Sequence, residues 1–124
     1  MSVIVLLDSG PLGLVTNLKE SVESLACKDW LRQLTRNSHQ ALVPAITDYE
    51  MRRELKLYGK TNGLHNLDTL AASAGYLPLT PQALWLAADL WAQVRQAGLP
   101  TAERFALDAD VILAAQARTL DAGF

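Results

Sequence analysis

The chain has 124 residues, half of them hydrophobic, and a formal net charge of −2 at pH 7. That length suits one domain with one core, the apolar share excludes a disordered chain, and the charge gives no global pull toward nucleic acid. No apolar run approaches the roughly 18 residues of a membrane span. The N-terminus carries no basic residue before an apolar run that ends in an acid, which speaks against a signal peptide.

Cys27 is the single cysteine, so no internal disulfide forms and a reducing cytoplasm is the expected location. His39 and His65 have no Cys or His neighbours at zinc spacing. Val3–Leu7 is a continuous apolar run rich in β-branched residues, the pattern of a strand buried on both faces. It runs directly into Asp8-Ser9-Gly10-Pro11. From about Ser21 to Asn37, Leu25, Trp30, Leu31 and Leu34 recur at helical spacing. Gln40–Ala45 reads as a second strand, weakened by Pro44 near its end. Thr47 is expected to open a helix through about Tyr58, stopped by Gly59. A further helix covers roughly Gly63–Ala74, ended by Gly75, and Tyr76–Leu79 is a third strand. Pro81 suits a helix start, and the segment to Ala97 carries Leu84, Ala87, Ala88, Trp91 and Val94 along one stripe before Gly98. The last helix is expected over Asp108–Gly123. Strands alternating with helices imply an α/β fold, a parallel sheet with helices on both faces. The chain shows no linker, so it reads as a single domain.

In such sheets functional groups gather beyond the carboxyl ends of the strands, which is where Asp8 sits. Glu50 is expected in the opening turn of the helix after the second strand. Asp110 precedes Leu113, Ala114 and Ala117 at helical spacing, so it is read as heading an apolar stripe aimed at the core or a cleft. Asp108 lies two residues earlier and faces another way. If Asp8, Glu50 and Asp110 converge, pairs about 5 Å apart at an effective dielectric near 20 repel by roughly 3 kcal/mol. Such a group raises its own pKa values or takes a cation, and carboxylates are the natural ligands of Mg²⁺ or Mn²⁺. A hard cation there polarises a phosphodiester and activates a water.

Each residue also has a structural reading. Asp8 fits a helix or turn cap, Thr47-x-x-Glu50 matches a capping box, and Asp108 suits a helix N-terminus. Arg52, Arg53, Lys56 and Lys60 form either a solvated helix face or a phosphate contact. Ser9 has no evident His or Lys base that would make it a nucleophile, and Gly10 and Gly13 lack the spacing of a phosphate loop. The three tryptophans read as core or interface.

The order of these motifs, "LLDSGPLG", then "VPAITDYEMRREL", then "DADVILAAQA", resembles the PIN-domain family, best known from the VapC-type toxin ribonucleases of prokaryotic toxin–antitoxin pairs. In that family an Asp closes strand one, a Glu lies early in the helix after strand two, and an Asp heads a late helix. The matching residues here are Asp8, Glu50 and Asp110, with Asp108 an extra nearby acid. The resemblance spans nearly the whole chain and implies a Rossmann-type three-layer fold and a metal-dependent endoribonuclease. On this reading Asp8, Glu50 and Asp110 hold Mg²⁺ or Mn²⁺, and Asp108 either stands behind these ligands or serves a second metal. Ser9 hydrogen-bonds near the metal, and the face from Arg52 to Lys60, with Arg53 and Lys56, meets the phosphates of RNA. It further implies an antitoxin protein as partner and a homodimer, with no membrane attachment. PIN domains continue past that helix into another strand and a Thr-x-Asp or Thr-x-Asn segment. Here the ending is "TLDAGF", with Gly123 read as the helix stop and Phe124 as the first residue of that strand, so the sequence is expected to be truncated. Two other readings remain open: a non-catalytic PIN-fold module binding RNA or a protein, and a receiver-like fold phosphorylated on Asp8. The latter lacks a second strand-end acidic cluster and a clear late-strand Lys.

Overall fold

The computed structural model describes residues 2–16, 21–98 and 104–121. They divide into two compact units, Met1–Leu77 and Pro78–Phe124. In the first unit the elements are β1 (Ile4–Leu6), α1 (Ser9–Thr16), α2 (Val22–Arg36), β2 (Gln40–Pro44), α3 (Ala45–Leu57), α4 (Thr61–Ala74) and β3 (Tyr76–Leu77). The second holds α5 (Pro81–Gln96) and α6 (Arg104–Asp121).

The three strands form a parallel sheet in the order β1-β2-β3. Ile4 pairs with Gln40 and Leu6 with Leu42, while Val43 pairs with Tyr76 and Pro44 with Leu77. Ala41 and Val43, which share one face of β2, pack in one cluster with residues of α1, α2, α3 and α4. The α/β class and parallel sheet read from the sequence are thus present. Ala41 to Ala45 are all buried, as a central strand requires. Val3–Leu7, expected to be buried on both faces, is not. Among the described residues β1 has β2 as its one strand neighbour, and Val3 and Ile4 stay about half exposed, at 50% and 46%. Full burial begins only at Leu7, past the paired segment. The outer end of β1 is held instead by an added rung, in which Val3 N donates to His39 Nδ1 at 3.0 Å and Gln40 N donates to Val3 O at 3.0 Å.

Leu7, Leu12, Ala41, Val43 and Leu67 form the core of this unit, with Val15, Leu31, Met51, Leu55 and Leu70 packed against it. Gly75 ends α4 with φ near 121°, where a side chain is strained. A Cβ there would also meet Leu42 Cδ2 at 2.8 Å, and the Gly75 carbonyl accepts Val43 N at 2.8 Å. One small residue therefore stops the helix and starts β3.

Ser9–Thr16, which the sequence reading assigned to no element, is a helix; its Gly10, Pro11 and Gly13 are poor helix residues, but Leu12 and Thr16 are buried on its inner side. Helix α3 begins at Ala45, directly from β2, because Pro44 at φ −67° and ψ 145° serves as its N-cap. Proline ends a ladder that needs N–H donors and fits the entry to a helix. Thr47 is consequently inside the first turn and no capping box forms. Its buried hydroxyl lies 3.0 Å from Pro44 O and 3.1 Å from Leu7 O.

In the second unit, Thr80 Oγ1 caps α5 by accepting from Ala83 N at 3.1 Å. Ala87, Leu107, Val111 and Ala115 are its core, with Trp91 and Val94 alongside. Trp85 is 68% exposed and belongs to no core. Helix α6 starts at Arg104, four residues before the expected Asp108. Gly123 and Phe124 lie outside the described residues. No helix among the described residues is long and apolar enough to cross a membrane.

The Thr47 hydroxyl is a testable link. Thr47→Val keeps the shape and removes the donor from a buried carbonyl, which costs about 1–2 kcal/mol. Urea unfolding of Thr47→Val should show that loss. Thr35→Val, on the exposed side of α2, should stay within about 0.5 kcal/mol of wild type.

Candidate active site

The parallel register determines where the first two carboxylates sit. Leu6 pairs with Leu42, and continuing two residues brings Asp8 level with Pro44, the start of α3. Thr47 then ties the first turn of α3 to the carbonyl of Leu7, the residue before Asp8. Glu50 follows Thr47 by three residues, one turn along the same side of the helix. Asp8 therefore follows the hydrogen-bonded carbonyl of Leu7 at the end of β1, and Glu50 lies one turn past Thr47 on α3.

Asp8 is exposed and caps α1: its carbonyl accepts Leu12 N at 3.0 Å and its Oδ1 accepts Ser9 N at 2.7 Å. The helix N-terminus favours a negative charge at that point. Ser9 is exposed at the first position of α1. Glu50 is half-buried and sits in the second turn of α3 rather than the opening turn, since the helix starts earlier than expected.

Asp108 and Asp110 belong to the second unit. The buried stripe of α6 runs through Leu107, Val111, Ala115 and Thr119. Asp110 is exposed beside that stripe and does not head it. The expected stripe through Leu113, Ala114 and Ala117 was rotated because the helix packs on α5 through its i, i+4 row from Leu107. Asp108 is exposed and borders a groove between α5 and α6 formed by Leu84, Ala87, Trp91, Val111 and Ile112. Taken singly, neither unit gathers three His, Cys, Asp or Glu side chains into a metal-binding group among the described residues.

The adjacent arginines separate. Arg52 points inward, where Nε donates to Asp48 Oδ2 at 3.0 Å and a terminal nitrogen donates to Asp48 Oδ1 at 3.1 Å. Its other terminal nitrogen lies 2.8 Å from Asp68 Oδ1 on α4. The hydrogen bonds to Asp48, and next those to Asp68, raise the guanidinium pKa above its ordinary value, so it stays charged at every accessible pH. Arg52 thus joins α3 to α4. Arg53 and Lys56 are exposed, and the Arg53 guanidinium lies 5.3 Å from the centroid of the Tyr49 ring. The sequence reading passed over Asp48, Asp68 and Tyr49. Asp48 and Arg52 stand at i, i+4 and were legible as a pair; Asp68 needs the packing of two helices to appear. Burial pushes the Cys27 thiol pKa up, and its Sγ lies 3.7 Å from Pro11 O.

The two halves of the Arg52 network should differ in weight. Asp48 is buried at 7% exposure, so Arg52→Ala strands a buried carboxylate and should cost about 2 kcal/mol. Asp68 is largely exposed, and Asp68→Ala should cost less than about 1 kcal/mol. Chemical denaturation of both variants checks the order, and an equal cost would contradict it.

No protein-family model matches the sequence, and the comparison with curated proteins finds no match. Among solved structures, the chain is similar to one in the crystal structure of VapBC2 from Rickettsia felis bound to a DNA fragment from their promoter. The TM-score is 0.70 at 15% identity, covering 93% of this chain and 79% of that one. A likeness at that identity concerns the fold, and the fold it supports is an α/β fold with an open parallel sheet.

Proposed function

We propose that this chain is a Mg²⁺- or Mn²⁺-dependent endoribonuclease of the PIN type, acting as the toxin of a toxin–antitoxin pair. The observation that supports the reading is that Asp8 directly follows β1 and that Thr47, one turn before Glu50 on α3, hydrogen-bonds the carbonyl of Leu7. Similarity to a chain from a VapBC2 complex supports the same reading and an antitoxin protein as partner. A homodimer in the cytoplasm belongs to the same proposal.

The residues fit a hard cation by donor chemistry. Asp8 offers an exposed carboxylate whose orientation is held by Ser9 N, and oxygen donors are what Mg²⁺ and Mn²⁺ take. Asp8, Glu50 and Asp110 would hold the ion, with Asp108 as a further acid. When bound, such an ion polarises a phosphodiester and lowers the pKa of a water. Among the chain's own groups, Ser9 would donate near the scissile phosphate, while Arg53 and Lys56 would meet the RNA backbone. Arg52 leaves the substrate-binding set and takes a positioning role, through the fork that anchors α3.

A second reading, a non-catalytic module of the same fold that binds RNA or a protein, is favoured by one observation. Neither unit by itself collects three metal-binding side chains among the described residues.

Conservative substitutions separate the two. Asn caps a helix as well as Asp, so Asp8→Asn should leave stability within about 1 kcal/mol and abolish metal-dependent cleavage of RNA. Glu50→Gln keeps the side-chain shape on a half-buried position outside any cap and should change stability by about 1 kcal/mol or less, yet reduce cleavage at least about tenfold. A non-catalytic module predicts no metal-dependent cleavage by wild type or by either variant.

Metal binding gives an independent readout. An ion that binds only the native state adds about 2.7 kcal/mol at 100 times its Kd. Millimolar Mg²⁺ or Mn²⁺ should raise the Tm of wild type, and Asp110→Asn should remove most of that rise. An equal rise in both proteins would exclude Asp110 as a ligand.

A further inference from the structure

We infer that Tyr49 and Arg53 form a platform that receives an unpaired nucleotide of the RNA next to Glu50, which makes them specificity residues for single-stranded substrate. The inference rests on the nuclease reading and goes further in naming the residues and the strand state that they select.

The argument starts from the unequal fates of two neighbouring arginines. Arg52 satisfies its donors with Asp48 and Asp68. Arg53 has no carboxylate within ion-pair range among the described residues, and its guanidinium lies over Tyr49 at 5.3 Å. Tyr49 is 57% exposed, a large aromatic surface left in water beside a cation. Tyr49, Arg53 and Lys56 stand at i, i+4 and i+7, so they share one outward stripe of α3. At 3.6 residues per turn, Glu50 is offset from Arg53 by about 60° around the helix axis. The stripe therefore lies alongside the candidate metal-binding carboxylate on the same helix.

This combination matches the needs of an unpaired nucleotide. An exposed aromatic face accepts a base by stacking, an interaction open to every base and closed to one already stacked in a duplex. Arg53 adds a cation and a planar group that also stacks, and Lys56 extends positive charge along the path of the backbone. With a net charge of −2, the chain attracts a polyanion only through such a local arrangement. A symmetric contact with a second copy fits the stripe less well, because an isologous interface can set Arg53 and Lys56 against their own counterparts without a carboxylate between them.

The test compares wild type, Tyr49→Ala, Tyr49→Phe and Arg53→Gln in Mn²⁺ on two RNAs of equal length, an oligouridylate and a blunt duplex. Steady-state cleavage, fluorescence anisotropy and the sedimentation state of each protein are read together. Tyr49 is exposed, so thermal melting should show each variant folded like wild type. The expected result is that wild type prefers the oligouridylate. Tyr49→Ala should raise KM for it at least about fivefold, the lower end of one stacked base, with kcat within twofold. Tyr49→Phe should restore it, since the ring alone is needed. Arg53→Gln should reduce the slope of log affinity against log salt by about 0.7, as expected for one lost contact on a single strand. If wild type cleaves the oligouridylate and Tyr49→Ala does so with unchanged KM, the platform is refuted and the nuclease reading stands. If wild type neither binds nor cleaves either RNA, the nuclease reading fails and the platform with it. If Tyr49→Ala changes the sedimentation state while KM holds, the face is a self-contact and the inference is overturned.

Discussion

A single buried hydroxyl sets the relation between the two elements that matter most to the candidate site. Thr47 Oγ1 reaches the carbonyl of Leu7, forty residues away in sequence, and so joins the start of α3 to the end of β1. Parallel pairing of β1 with β2 brings the two strands level. Pro44 then turns β2 into α3 without a loop. Absence of a loop matters because a carboxylate on a helix that grows directly from a strand inherits the rigidity of the sheet. Were the entry a flexible turn, Glu50 would have no defined position relative to Asp8. The proline that weakened the strand reading is therefore the residue that makes the helix placement rigid.

A second constraint operates along α3. Consecutive residues on a helix point about 100° apart, so the dipeptide Arg52-Arg53 has to serve two surfaces. The inward side already holds Asp48, buried and close to the helix start. A buried carboxylate without a partner is costly, and Arg52 supplies that partner with fork geometry at 3.0 and 3.1 Å. The same guanidinium reaches Asp68 on α4, which makes it a clasp between helices. Arg53 is left facing water with Tyr49 beneath it. Charge counting treats these two residues as equal, whereas helix phase distinguishes them.

Much of the fold was legible because hydrophobic periodicity reports burial. The strands at Gln40–Pro44 and Tyr76–Leu77 and helices α2 to α5 fall within a few residues of their expected limits. Failures occurred where periodicity is silent or where another term wins. Ser9–Thr16 carries two glycines and a proline, so propensity gave no sign of a helix, but burial of Leu12 and Thr16 and the Asp8 cap hold one there. Val3–Leu7 looked like a central strand because apolar content does not tell an edge strand with a half-exposed end from a strand covered on both sides. On α6 the apolar residues are dense enough to support more than one stripe. Only packing against α5 selects the row from Leu107 to Thr119, which leaves Asp110 at its margin. The candidate residues Asp8 and Glu50 came from the order of motifs. Thr47, Asp48 and Asp68 were not assigned their roles, since those depend on contacts between elements.

Asp8 shows why a structural role and a chemical one need not compete. Capping engages one of its oxygens with Ser9 N at 2.7 Å and points the carboxylate from the start of α1. A carboxylate has about four lone-pair sites, so one hydrogen bond consumes a minor part of its capacity. What the cap provides is orientation. A freely rotating carboxylate loses rotamer entropy when it binds an ion, whereas one already fixed by a backbone amide loses little. The helix N-terminus also stabilises the negative charge. A cap at the end of a parallel strand is thus a suitable foundation for a ligand, provided the residue is exposed, as Asp8 is. The buried side of α1, through Leu12 and Thr16, holds that helix to the core.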